Sequence, residues 1–88
     1  MKKTNWFVYI IQSEMGHLYT GITTDVERRF KEHSDSKKGA KYFRGKVPVE
    51  VVYQKTFKDR SSASKYEFVI KKMVRADKMK LIMGPENG

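Results

Sequence analysis

Five side chains in this 88-residue chain combine a type and a spacing that lend themselves to chemistry: Tyr9, Tyr19, Arg29, His33 and Glu67. A phenol can hold or activate water, but only if its surroundings favour the phenolate, since its unperturbed pKa is ~10. A guanidinium stays charged and offers a planar fork of donors to phosphate. A carboxylate can hold one divalent cation, and an imidazole can move a proton near neutrality. Together the five suit water activation beside a phosphoryl transition state.

Those residues must be positioned by the elements that carry them. Trp6 to Ile11 is a run of β-branched and aromatic residues that reads as a buried strand. Glu14-Met15-Gly16 supplies a turn, with Gly16 suited to a positive φ, and His17 to Ile22 returns as the second arm of a hairpin. With that loop, residue 9 pairs opposite residue 21, and Tyr19 is the diagonal neighbour of Tyr9 on the same face. The two phenols either converge on one spot of the sheet or pack as ordinary strand aromatics. Thr24-Asp25-Val26-Glu27 has the form of a capping box, with Thr24 as N-cap, opening a helix from Asp25 to about Ser34. Asp25, Arg29 and His33 recur every four residues beside the apolar pair Val26 and Phe30. Arg29 therefore borders the buried face, where a long stem can snorkel to water.

Pro48 opens a third strand, Val49 to Phe57, with Val49, Val51 and Tyr53 expected on one face and Val52 on the other. Ser61 or Ser62 can cap a longer helix ending near Val74 or Arg75. Its apolar stripe runs Ala63, Tyr66, Ile70, Met73 and Val74, and Glu67 sits inside it. A carboxylate there forms a salt bridge, reaches solvent at the stripe's edge, or binds a cation; left alone it bears a desolvation penalty of order several kcal/mol. A last basic turn or helix covers Lys78 to Met83 before Gly84-Pro85. No linker or internal repeat interrupts the chain, so a single domain over residues 1–88 is expected. The order β-β-α-β-α-α predicts an α+β sandwich, a three-stranded sheet flanked by helices.

Composition bounds the chemistry. The chain has no cysteine, which removes disulfides, cysteine zinc sites and thiol catalysis. His17 and His33 are too few for a histidine-built metal site, and His17 reads as a surface residue. No apolar run approaches the ~18 residues of a membrane span, and the short run after Lys2 and Lys3 lacks a cleavage pattern, so a cytoplasmic protein is expected. The net charge of +9 suits a polyanion. Lys37, Lys38, Lys41, Arg44 and Lys46 follow one another with no acid between them, in and around a glycine-bracketed loop that also holds Tyr42. Lys71, Lys72, Arg75, Lys78 and Lys80 form a second cluster opposed only by Asp77. Such residues neutralise phosphates and make binding steeply salt-dependent, unless they serve only as a solvated surface.

The chain resembles the GIY-YIG nuclease superfamily, and most closely its small stand-alone bacterial members. The signature triads fall on Phe7-Val8-Tyr9 and Tyr19-Thr20-Gly21, and the helix segment on Thr24 to His33, in a register that selects Arg29 over Arg28. The basic loop falls on Gly39 to Gly45 and the later helix on Ala63 to Lys72, so the resemblance covers about residues 5–82. Phe7 stands where the first motif has glycine, and Thr20 where the second has isoleucine. The resemblance implies a central antiparallel three-stranded sheet and phosphodiester hydrolysis with one divalent metal, Mg2+ or Mn2+, held by Glu67 and bound weakly without substrate. It also implies that Arg29 contacts the phosphate, and that one of Tyr9 and Tyr19 is the general base, with Tyr9 favoured and His33 auxiliary.

Three functions compete at this level. The first is a metal-dependent endonuclease acting on DNA, in repair or recombination. The second is a binding module or repair accessory with little or no cleavage, in which Lys37, Lys38, Lys41, Tyr42, Arg44, Lys46, Lys71, Lys72 and Arg75 hold nucleic acid. The third is an RNA-associated protein using the same surface. Family nucleases usually gain their targets from an added domain, so specificity is expected to be weak or delegated to a targeting protein partner. The oligomeric state is open.

Overall fold

The hairpin turn sets the frame for everything after it. In the computed structural model, which describes residues 4–34 and 48–84, Trp6–Ser13 (β1) and Leu18–Thr23 (β2) pair antiparallel. Ser13 N–H donates to the His17 carbonyl and Gly16 N–H to the Ser13 carbonyl, each at 2.9 Å, closing a three-residue loop. Gly16 takes φ 84°, the left-handed value that such a loop requires at its last position. Tyr9 then lies opposite Gly21, and Tyr19 opposite Ile11, which is the expected register.

Pro48–Phe57 (β3) pairs antiparallel with the other edge of β1, giving the strand order β2-β1-β3. β1 is therefore central, and Val8, Tyr9, Ile10 and Ile11 are all buried. The register of β3 shifts between Ile10↔Tyr53 and Ile11↔Val51, so Val52 is an extra, bulged residue. Period-two reasoning placed Val49, Val51 and Tyr53 on one face. The bulge overturns that: Val51 packs with Tyr9 and Ile11, whereas Val52 and Tyr53 both pack on the opposite side with Val8 and Ile10, and Val49 is exposed.

Three helices complete the β-β-α-β-α-α order: Val26–Ser34 (α1), Arg60–Lys71 (α2) and Arg75–Met83 (α3). Their caps differ from the sequence reading. Asp25, not Thr24, caps α1, its Oδ1 accepting from Arg28 N–H at 3.0 Å while Thr23 Oγ1 accepts from Asp25 N–H at 3.1 Å. Asp59, rather than Ser61 or Ser62, caps α2, accepting from Ser62 N–H at 2.8 Å, and this bond holds the Asp59 carboxyl below its ordinary pKa. In both places a carboxylate outcompetes a hydroxyl because it also complements the positive end of the helix dipole.

α2 stops at Lys71 and does not reach Val74. Val74 adopts extended backbone as the N-cap of α3 and is exposed, so it leaves the apolar stripe. A straight continuation would carry Leu81 some 15 Å past Lys71 along the axis. Turning instead returns Leu81 and Ile82 to the core.

The two faces of the sheet are unequal. On one, Val8 and Ile10 meet Ala63, Ile70, Tyr66 and Met73, with Trp6, Phe57, Leu81 and Ile82 around them. On the other, among the described residues, Tyr9 and Ile11 meet Tyr19, Val26, Phe30 and Val51, with His33 beside them. The first face is the structural core; the second is thin and carries polar aromatics.

Thr20, facing the large core from β2, is 4% exposed, and its Oγ1 has no hydrogen-bond partner among the described residues. An orphaned hydroxyl costs more than the methyl that could replace it. Thr20→Val is therefore expected to raise the unfolding free energy by ~1 kcal/mol, read as a higher urea midpoint at unchanged slope.

Candidate active site

The thin face is a site because Gly21 has no side chain. A Cβ at that position would stand 2.5 Å from Tyr9 Oη, 2.8 Å from its Cζ and 3.2 Å from Tyr19 Cε2. The Tyr9 phenol thus lies across bare backbone of the neighbouring strand, in a space that any other residue would fill. Gly21 serves here through volume rather than through an unusual φ.

α1 supplies the third ring. Val26 and Phe30 dock it on the thin face, which turns His33 inward until it is 2% exposed. Tyr9 Oη and His33 Nε2 share a hydrogen bond of 3.1 Å. The centroids of Tyr9 and Tyr19 are 6.2 Å apart, those of Tyr9 and His33 6.1 Å, and Tyr19 meets His33 edge-on at 5.0 Å. The phenols expected to converge do so, with the imidazole between them. Asp25, placed by spacing on the same side of the helix, is instead spent on the N-cap and is exposed.

Arg29 is 30% exposed and is fixed by Glu32, whose Oε1 accepts from Nη1 at 2.9 Å, while Arg28 Nε approaches Oε2 at 3.8 Å. Sequence reasoning did not single out Glu32 or Gly21. The i,i+3 spacing of Arg29 and Glu32, and the glycine opposite Tyr9 in the hairpin register, were the available signals.

Electrostatics divides the roles. Burial pushes the Tyr9 phenol well above its ordinary range, Tyr19 adds to the rise, and Arg29 opposes it through its charge and donors. Arg29 alone thus does not deliver the phenolate that a base role for Tyr9 calls for. Burial and then the Arg29 charge lower His33 to about 4, against a small opposing pull from Glu32. His33 is therefore neutral at pH 7, with a ring nitrogen able to act as a hydrogen-bond acceptor, although the same shift makes it a weaker base. The Glu32 bond, with a smaller part from Tyr9, raises Arg29 further and secures its charge.

Glu67 stands elsewhere. α2 covers the large-core face, packing chiefly on β2 and β1, and the half-buried Glu67 carboxylate pairs with Lys71 Nζ at 3.1 Å, one of the arrangements its place in the stripe allowed. Among the described residues no three His, Cys, Asp or Glu side chains form a metal-holding group. Lys71, Lys72, Arg75 and His17 are exposed, whereas Lys37, Lys38, Lys41, Tyr42, Arg44 and Lys46 lie outside the described residues. No helix among the described residues is long and apolar enough to cross a membrane.

Known proteins resemble the chain over most of its length. The profile of the GIY-YIG catalytic domain matches residues 5–81. The UPF0213 protein DP2720 of Desulfotalea psychrophila is 51% identical over 83 residues, 94% of this chain and 76% of that protein. The UPF0213 protein YhbQ of Escherichia coli is 44% identical over 79 residues, 90% of this chain and 78% of that one. The solution NMR structure of the UPF0213 protein BH0048 from Bacillus halodurans matches with a TM-score of 0.58 at 41% identity, covering 93% of this chain and 89% of that chain.

Two outcomes test the geometry. Gly21→Ala should displace the Tyr9 ring and break its bond to His33, seen as altered tyrosine and imidazole NMR shifts with the hairpin retained. His33, depressed when folded, lets the unfolded chain bind the extra proton between ~6.5 and about 4, so stability is full above ~6.5 and falls as pH drops toward about 4. His33→Gln should remove that component of the slope in urea melts taken across the same range. An unchanged slope would mean that His33 is not held neutral.

Proposed function

The chain belongs to the GIY-YIG catalytic-domain family, a family of nuclease type, and from that premise we propose that it hydrolyses phosphodiester bonds in DNA as a metal-dependent endonuclease, acting in the cytoplasm in repair or recombination. The observation that carries this reading is the Tyr9–His33 hydrogen bond beside the clamped Arg29. With the imidazole proton on Nδ1, Nε2 accepts the Tyr9 hydroxyl proton. As water gives a proton to the Tyr9 oxygen, the proton of Tyr9 passes to His33. The water oxygen bonds to phosphorus, the bond to the leaving oxygen breaks, and that oxygen takes a proton from solvent. A phenol too basic to ionise alone can still pass a proton on when a neutral acceptor is already bonded to it. Tyr19, edge-on to His33, fixes the imidazole and the water, and Arg29 meets the phosphate charge as it grows.

Glu67 is the candidate ligand for Mg2+ or Mn2+. One carboxylate suits a hard cation that keeps several waters and draws its other ligands from substrate phosphates, and the partner it must release, Lys71, is half exposed. Such a cation would stand on the α2 side of the sheet, away from the tyrosine–histidine cluster, where it would neutralise a neighbouring substrate phosphate. The chain's own contribution is to release that carboxylate from Lys71 when the substrate arrives. Target choice is assigned to a separate protein partner.

A binding module with little cleavage is the second reading, favoured by the high basicity of Tyr9 and by the Glu67–Lys71 pair. One assay separates them: duplex, single-stranded, flap and branched DNA, with and without Mg2+ or Mn2+. Tyr9→Phe and His33→Gln are each expected to lower the cleavage rate by about 10²–10⁴-fold, and Arg29→Ala by about 10²–10³-fold. Glu67→Ala should abolish stimulation by metal. Cleavage that survives all four changes overturns the site, and tight binding with no cleavage of any substrate establishes the module.

A further inference from the structure

Outside the tyrosine cluster, the described surface holds a cleft lined by basic residues from two distant parts of the chain. His17, at the end of the hairpin turn, and Leu18, the first residue of β2, face Arg75 and Lys78 of α3 across about 230 Å³. No carboxylate lines it, and neither Arg75 nor Lys78 has an ion pair among the described residues. Within one helix, cations can be neighbours through spacing alone. Here tertiary packing brings an imidazole from the hairpin to the same cleft as two cations of α3. Leu18 gives the cleft an apolar floor, since it packs with the Val8 and Ile10 core.

Its position relates it to the candidate active site. β2 is an edge strand, Leu18 faces the large core, and Tyr19, the next residue, faces the tyrosine–histidine cluster. Successive residues of a strand advance only ~3.3 Å. A chain of phosphates that leaves the cluster over the free edge of β2 thus comes down on His17, Arg75 and Lys78.

We infer that this cleft is a second phosphate seat, holding a backbone phosphate that flanks the scissile one, so that the bound strand bends around the edge of β2. The inference rests on the nucleic-acid reading above and adds a path to it. A sharp bend is easiest for unpaired nucleotides, so the substrate class it selects is a single strand or a frayed junction rather than continuous duplex. Arg75 and Lys78 supply the charge, and His17 supplies a donor at the mouth.

The test is binding of labelled single-stranded and duplex oligonucleotides to the full chain, with divalent cations chelated so that nothing is cleaved. Arg75→Ala with Lys78→Ala is compared with Lys80→Ala, which removes an exposed cation of α3 outside the cleft. For the single strand, the double variant should lower the salt slope by about 1 per lost phosphate contact, and Lys80→Ala should lower it less. Neutralising one phosphate at a time as methylphosphonate should reveal a flanking position that weakens wild-type binding and has no effect on the double variant. An equal loss with Lys80→Ala, the same loss on continuous duplex, or an unchanged interference pattern overturns the second seat. Failure of the wild type to bind any nucleic acid overturns the functional reading itself, and the seat with it.

Discussion

One register, that of β1 against β2, holds the whole site together. A slip of one residue would send Tyr9 and Tyr19 to the opposite face and bring Val8 and Ile10 out of the main core. The three-residue turn guards against it, because Gly16 sits at a backbone angle that β-branched or bulky residues avoid. Burial guards it again, since both faces of β1 are covered. Only with Tyr9 opposite Gly21 does the phenol find an empty place over the next strand. From there it reaches the histidine of α1.

The sheet separates stability from chemistry by side. Its large-core face is filled by aliphatic and aromatic groups from α2, α3 and all three strands. The other face buries two phenols and an imidazole, groups that bury less favourably than Leu or Ile and must satisfy one another. Burial raises the phenol, and burial together with the Arg29 charge depresses the imidazole. The burial that keeps His33 neutral is thus found on the same face as the sparser packing of α1 among the described residues.

Much of this was legible in the sequence, and the parts that were not share a cause. The hairpin, its loop and the Tyr9–Gly21 pairing follow from local rules: a glycine turn between two β-rich runs, then alternation. The Ala63, Tyr66, Ile70 and Met73 stripe was legible from helical spacing. The Val52 bulge was not, because nothing local marks an inserted residue; its reason is the need of Val51 and Tyr53 to serve different layers. The caps were misassigned by one to three positions, since sequence shows candidates but not the competition between them. Arg29 could be placed at a boundary, but its fixation by Glu32 depends on rotamers. Glu67 was recognised as misplaced in its stripe, and only the fold shows that its helix lies on the other side of the sheet.

The thinness of the catalytic face also carries a dynamic consequence. α1 has nine residues and holds to the sheet mainly through Val26, Phe30 and His33, whereas α2 and α3 share the large core. Among the described residues, α1 is thus less firmly packed than α2. Detachment of α1 is a low-energy opening that withdraws Arg29 and His33 together while the sheet stays closed under α2. Amide protons of α1 exchange through that opening, and those of β1 wait for global unfolding. Arg29 and His33 thus ride on the element with the fewer apolar contacts among the described residues.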